Sequence, residues 1–180
     1  MGCLSFHPRK IVTTGEGGAV TTNDGELADT IRSLRHHGWR GTDMPAPGLN
    51  YRLPDILCAI GSSQLRRLET LLADRERLAA AYTERLDGIV QTPSVDEGDR
   101  HGLQAYVVQL DRRDEALAAL SGAGIQAQIG TYALHRLTAY RDQGPFPGAD
   151  SAYERALALP FHNRLTHEDV ERVGAVLTAM

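Results

Sequence analysis

An apolar stripe at helical spacing, from Ile56 to Tyr82, constrains the fold of this 180-residue chain more than any other feature. Ile56, Leu57, Ile60, Leu65, Leu68, Leu71, Leu72, Leu78 and Tyr82 recur along it. On a 3.6-residue turn that spacing lines them along one side of a helix. Leu53-Pro54-Asp55 opens the run, with Pro54 near the first helical position, where its missing N–H leaves no bond unmade. The pattern ends near Gly88. Gly61 is a place to kink, and a break near Leu68 would make two helices.

The flanking segments alternate. An apolar segment runs into Pro8, which ends it, and Lys10 follows. Gly15-Glu16-Gly17-Gly18 is a turn that feeds a second short strand, Ala19 to Thr22, so the chain returns like a hairpin. Asn23-Asp24 caps a helix with Glu26 in its first turn and Leu27, Ile31 and Leu34 on one face. His36-His37-Gly38 closes that helix, with glycine in the stop position. A Gly/Pro-rich loop covers about 40–50. Beyond Pro93 the pattern predicts a strand from Leu103 to Leu110, a helix from Arg113 to Ser121, a turn at Gly122 to Gly124 and a strand from Ile125 to Ile129. Helices are expected near 149–158 and 166–179, the last capped by Thr166 with Glu168 and Asp169 in its first turn. Residues 95–102 are the expected crossover.

Composition narrows the function classes. A net charge of −4 with no basic block does not support nucleic-acid binding. No apolar run approaches the ~20 residues that cross a bilayer. The N-terminus lacks the charged and apolar regions of a secretory signal. Cys3 and Cys58 have no partner spacing and sit in apolar sequence, so buried free thiols in a reducing cytoplasm are expected. The seven histidines form no HExxH or cysteine-paired pattern, and no metal site is expected.

Lys10 is the only lysine; the other eighteen basic side chains are arginine. A guanidinium stays protonated, whereas a primary amine can lose its proton and attack a carbonyl. One lysine left on a solvated loop is the plainer alternative. The Gly15-Glu16-Gly17-Gly18 run is not a phosphate loop, because it lacks both the GxxxxGK[ST] order and the GxGxxG spacing.

The runs SFHPRK and IVTTGEGGAVTTND, followed by LRHHG and GLNYRLPDI, resemble the DegT/StrS-type family of pyridoxal-phosphate (PLP) sugar aminotransferases. AIGSSQL at 59–65, TYALH at 131–135 and ALALPFH at 156–162 extend the likeness almost to the C-terminus. The fold this implies is α/β, the C-terminal half of a fold type I aminotransferase. Residues 1–52 would be a remnant of the cofactor-binding large domain and 53–92 the connecting long helices. Residues 93–180 would be a small α+β domain. Family members are about twice as long and carry the lysine motif near their middle, so a truncated or split reading frame, or an excised fragment, is expected.

The resemblance also implies residue roles. Lys10 would hold pyridoxal 5'-phosphate as a Schiff base and move a proton at the reacting carbon. Ser5 would bind the cofactor phosphate, and the alternative is a strand-edge serine bonded to backbone. Asn50 would reach the phosphate in the partner subunit's site, which makes the family site a shared one in a homodimer. Without the resemblance Asn50 reads as a turn residue. Arg40 and Arg52 are candidates for a substrate phosphate or carboxylate, or plain surface arginines. His7 and His135 are candidates to line the pocket, and Tyr132 goes with His135. An aspartate against the pyridine nitrogen, a stacked aromatic ring and a helix N-terminus for the phosphate would lie in a preceding half, or in a separate chain that supplies it. The implied reaction transfers an amino group from glutamate to a nucleotide-linked keto-sugar or keto-cyclitol. Two other readings stand beside it. One is a non-catalytic fragment or partner-binding module. The other is sugar dehydration, whose family members carry histidine in place of the lysine found here.

Overall fold

The structure, a computed structural model, describes residues 1–141 and 144–180. The chain divides into two compact units, Met1–Glu69 and Thr70–Met180.

The first unit opens on an antiparallel ribbon of β1 (Gly2–Ser5) and β2 (Gly18–Thr21), in which Ser5 pairs with Gly18 and Gly2 with Thr21. Helix α1 (Gly25–Leu34) follows, and the Asp24 carboxylate accepts the Leu27 N–H at 3.0 Å as its cap. Gly38, at φ +92°, then turns the chain. A Cβ there would stand 1.8 Å from the Ala46 carbonyl oxygen, so only glycine lets the 38–48 loop fold back on itself. The expected long helix is two, α2 (Asp55–Leu65) and α3 (Leu68–Leu86), separated next to Leu68. Gly61 lies inside α2, buried, with the Thr14 methyl only 3.0 Å from where its Cβ would be. It admits a neighbour rather than kinking the helix.

The second unit carries the core. Strands β3 (Tyr106–Gln109), β4 (Gln128–Ile129) and β5 (Ala156–Leu159) form an antiparallel sheet in the order β3-β5-β4. Helices α4 (Arg113–Gly122) and α6 (His167–Thr178) pack on each other, and α5 (Pro147–Arg155) leads into β5. Leu78, Tyr82 and Leu86 of α3 meet Tyr106, Val108, Leu120, Leu157 and Val170 in one cluster. The Tyr82 and Tyr106 rings stack at 5.0 Å. Their hydroxyls stay paired, with the Pro160 carbonyl at 2.9 Å and with Thr83 at 2.8 Å. Burial pushes both phenols up, which keeps them neutral.

Three expectations need correction here. The helix near 149–158 stops at Arg155, and Ala156–Leu159 is the central strand. Leu and Ala favour helix, but this run is buried between two strands whose backbones need its N–H and C=O groups. The strand anticipated from Leu103 starts at Tyr106, because Leu103 has φ +46°, outside any strand geometry. The Ile125 to Ile129 strand is reduced to Gln128–Ile129, since Ile125 is spent on core burial beside the Gly124 turn.

The two units differ sharply in burial. Of seventeen buried apolar side chains among the described residues, Val12 alone belongs to the first unit. Instead a hollow of about 970 Å³ opens there, walled by Cys3, Leu4, Val20, Ile31, Leu57 and Leu65 among others. Cys3 and Cys58 are free thiols, as expected, but exposed rather than buried, because the face they occupy is uncovered. No helix among the described residues is long and apolar enough to cross a membrane.

Candidate active site

Lys10 sits on a loop tied at its base and along its length. Phe6 N–H donates to the Gly17 carbonyl at 2.9 Å and closes the loop where the ribbon ends. The Phe6 carbonyl accepts from Thr14 N–H at 3.0 Å and from the Thr13 hydroxyl at 2.9 Å. Pro8 has no N–H to continue the ladder, so β1 stops and the chain turns. The Lys10 N–H donates to the His7 carbonyl at 2.9 Å, and the Arg9 N–H to His7 Nδ1 at 3.2 Å. Gly17, at φ +139°, is needed because a Cβ there would meet Leu53 at 2.8 Å.

The loop is also fastened to α2. The Gln64 amide accepts the Thr13 N–H at 3.1 Å and donates back to the Thr13 carbonyl, so one side chain takes the place of a partner strand. Thr14 is buried under this clamp and bonds the Glu16 carbonyl at 2.8 Å. Lys10 itself is half-buried. The backbone that carries the Lys10 amine is thus fixed at several points.

Ser5 and Lys10 share this turn. Ser5 Oγ accepts the His7 N–H at 3.3 Å, which leaves its O–H to donate. His7 is exposed and ties the two through its backbone. Asn50 lies on a different loop of the same unit, in an isolated antiparallel bridge with His36. Its Oδ1 accepts Arg52 Nε at 3.0 Å, and Arg52 Nη1 lies 3.2 Å from His36 Nδ1. Arg40 Nη2 donates to the Thr30 hydroxyl at 2.9 Å.

Tyr132 and His135 belong to the second unit. Tyr132 is exposed, its ring 6.2 Å from Tyr153. His135 Nε2 lies 2.9 Å from Asp150 Oδ1, and its ring is 5.1 Å from Phe146. Arg136 bonds Asp150 and Glu154 and stacks over Tyr153 at 5.2 Å. Partial burial works to raise the Asp150 carboxyl, but bonds from Arg136 and His135 outweigh it and hold the group below the usual carboxylate range. His135 therefore faces a carboxylate that stays ionised.

Sequence reasoning missed Gln64 as a site-shaping residue, although it lies in the AIGSSQL run. It also missed Asp150. A bond spanning 51 residues leaves no periodic trace; only a glutamine three residues after a helix glycine hinted at a close approach to α2. Among the described residues no cluster of histidine, cysteine, aspartate or glutamate could hold a metal ion.

A family model described as the DegT/DnrJ/EryC1/StrS aminotransferase family matches residues 1–178. The GDP-perosamine synthase of Caulobacter vibrioides is 37% identical over 97% of this chain and 50% of its own length. The UDP-N-acetyl-3-dehydro-alpha-D-glucosamine 3-aminotransferase of Acidithiobacillus ferrooxidans is 33% identical over 98% of this chain and 50% of its own. Among solved structures, a DegT DnrJ EryC1 StrS aminotransferase from Brucella abortus superposes with a TM-score of 0.91 at 35% identity, covering 99% of this chain and 50% of that one. The PLP form of Spr1654 from Streptococcus pneumoniae does so at 0.87 and 25%, covering 98% and 50%. The chain thus spans about half the length of the curated relatives it matches.

Proposed function

The chain belongs to the DegT/DnrJ/EryC1/StrS aminotransferase family, and we propose that it carries the lysine-bearing half of a PLP-dependent enzyme that moves an amino group from glutamate to a nucleotide-linked keto-sugar. The observation that carries this reading is Lys10: the sole lysine of the chain, half-buried, on a loop pinned by Phe6, Gly17 and Gln64. Its surroundings fit the cofactor, since one turn presents an amine and a hydroxyl together. Pyridoxal phosphate, when bound, supplies the electron sink for breaking a bond at the amino carbon.

Lys10 Nζ would hold the cofactor through its aldehyde carbon and, as the free amine, would carry a proton at the substrate Cα. Ser5 donates its O–H to the cofactor phosphate. Asn50 directs its NH₂ to the phosphate bound by the other subunit of a homodimer, a neutral donor suited to an anion. Tyr132 and His135 approach the substrate, with Asp150 orienting the His135 ring.

The remaining groups, an acid for the pyridine nitrogen and a ring to stack on it, are assigned to the half of the relatives' length that this chain does not span. The apolar hollow supports that assignment, because a face walled by Leu4, Val20 and Leu57 lacks its covering layer in this chain. On this reading the chain alone is inactive. The same uncovered face supports a second reading, a non-catalytic partner-binding module.

Borohydride reduction with PLP separates the two, with and without the complementary half of a relative. The chain has two amines, Lys10 Nζ and the N-terminus. A lysine-specific protease cuts after Lys10 only, and an adduct there abolishes the cut. The transaminase reading expects adduct on Lys10 in the complemented protein and none in Lys10→Arg. Complemented protein that transaminates equally well as Lys10→Arg would end it.

A further inference from the structure

The turn that carries Lys10 is closed by a histidine ring. His7-Pro8-Arg9-Lys10 is a β-turn: the Lys10 N–H donates to the His7 carbonyl at 2.9 Å, and Pro8 stands second, where its fixed φ suits the turn. The first position of such a turn favours asparagine, aspartate or serine, whose short side chain accepts an N–H two residues on. Here the imidazole takes that part, with His7 Nδ1 accepting the Arg9 N–H at 3.2 Å. The His7 N–H in turn donates to Ser5 Oγ at 3.3 Å. One residue thus links the Ser5 hydroxyl, the turn and the Lys10 backbone.

A backbone N–H can only donate, so Nδ1 is the acceptor in this bond. The ring that makes it is neutral, with its proton on Nε2. The same geometry recurs in the second unit. His101 Nδ1 accepts the Leu103 N–H at 2.8 Å, and His162 Nδ1 accepts the Arg164 N–H at 3.3 Å. Leu103 keeps a φ of +46° in its turn, so this clasp accompanies backbone that does not hold itself.

Charge explains why an imidazole suits this place. Aspartate would close the same turn, but it would set an anion across a turn whose ends lie within about 7 Å of each other. An anion there favours the protonated amine, which cannot attack a carbonyl, and it opposes a phosphate at Ser5. We propose that His7 is a positioning residue: its neutral ring closes the Lys10 turn and its N–H seats Ser5, without a charge that would hold the amine protonated. That this serves cofactor binding rests on the transaminase reading above; the closure and the effect of charge do not.

The intact chain with His7→Asn, His7→Asp or His7→Ala tests this without any cofactor. Asparagine and aspartate restore an acceptor for the Arg9 N–H, and alanine does not. Closure is read from the rate at which the lysine-specific protease cuts after Lys10, relative to a peptide of residues 5–15 with the same substitution. His7→Asn and His7→Asp are expected to be cut as slowly as the native chain, and His7→Ala roughly fivefold faster, as loss of one net hydrogen bond implies. Charge is read from acylation of Lys10 by a small activated acetate ester, followed by peptide mass, since only the neutral amine reacts. At one pH, about 8, His7→Asp should acylate roughly twofold more slowly than His7→Asn, a gap that added salt closes. Asparagine and aspartate share one shape, so this second comparison holds even where His7→Ala unfolds the turn. His7→Ala cut no faster than native, or His7→Asp acylated as fast as His7→Asn, would each overturn the proposal. Failure to trap PLP on Lys10 would end the transaminase reading and leave both of these results standing.

Discussion

At the scale of single residues, the position of Lys10 depends on a side chain far from it in sequence. Gln64 pairs with both backbone groups of Thr13 and holds the loop to α2. Gln64→Leu would leave a part-buried N–H and C=O unpaired, at a cost of about 1–3 kcal/mol to the closed loop. Because a lysine-specific protease has one target bond, the rate of that single cut measures loop opening. Faster cutting in Gln64→Leu is expected, with little change in far-UV circular dichroism; an unchanged rate would show that the clamp contributes nothing to closure. The count singles out Lys10, because an amine among guanidiniums is a chemical difference, while a lone lysine on a solvated loop fits the count equally well. Gln64 was not legible, since an amide acting as a strand partner depends on where α2 comes to rest.

At the scale of elements, caps and turns were the most readable features. Asp24, Gly38 and Thr166 act within three or four residues, so their chemistry is local. Strand β5 was hidden because its Ala/Leu run continues α5 without a breaker, and burial between β3 and β4 overrides its helical preference. The α6 cap makes a pH prediction. Thr166 donates to the Asp169 carboxylate from its backbone N–H and its hydroxyl, both at 2.9 Å, and these bonds hold Asp169 below its ordinary value of 3.8. A depressed folded pKa stabilises the fold above the ordinary value, and that contribution is lost as pH falls through the folded one. The Tm difference between the native chain and Asp169→Asn is therefore expected to be constant near neutrality and to shrink below about pH 4. A difference that grows on acidification would refute the capping account.

At the scale of the whole molecule, the two units should differ in how readily they open. Among the described residues, sixteen of the seventeen buried apolar side chains lie in Thr70–Met180. Amide hydrogen exchange is expected to be slow in β5, α4 and α6 and orders of magnitude faster in β1, β2 and α2. Equal protection in both units would contradict the burial pattern. The fold class was legible at this scale from several motifs in fixed order, and the matches to aminotransferases over half their length agree with it. The imbalance of burial was not, because Ile56, Ile60 and Leu65 read as core from spacing alone, yet all three are exposed here.

The two-stranded ribbon of β1 and β2 has one further implication. Each strand pairs on a single side, so its outer N–H and C=O groups form a template that accepts any extended backbone. No proline or inward charge lies within either four-residue strand to discourage recruitment. At high concentration the chain should therefore stick to itself through these rims before its helices unravel, and a lysine or proline placed at Val20 should act as a gatekeeper against fibre growth.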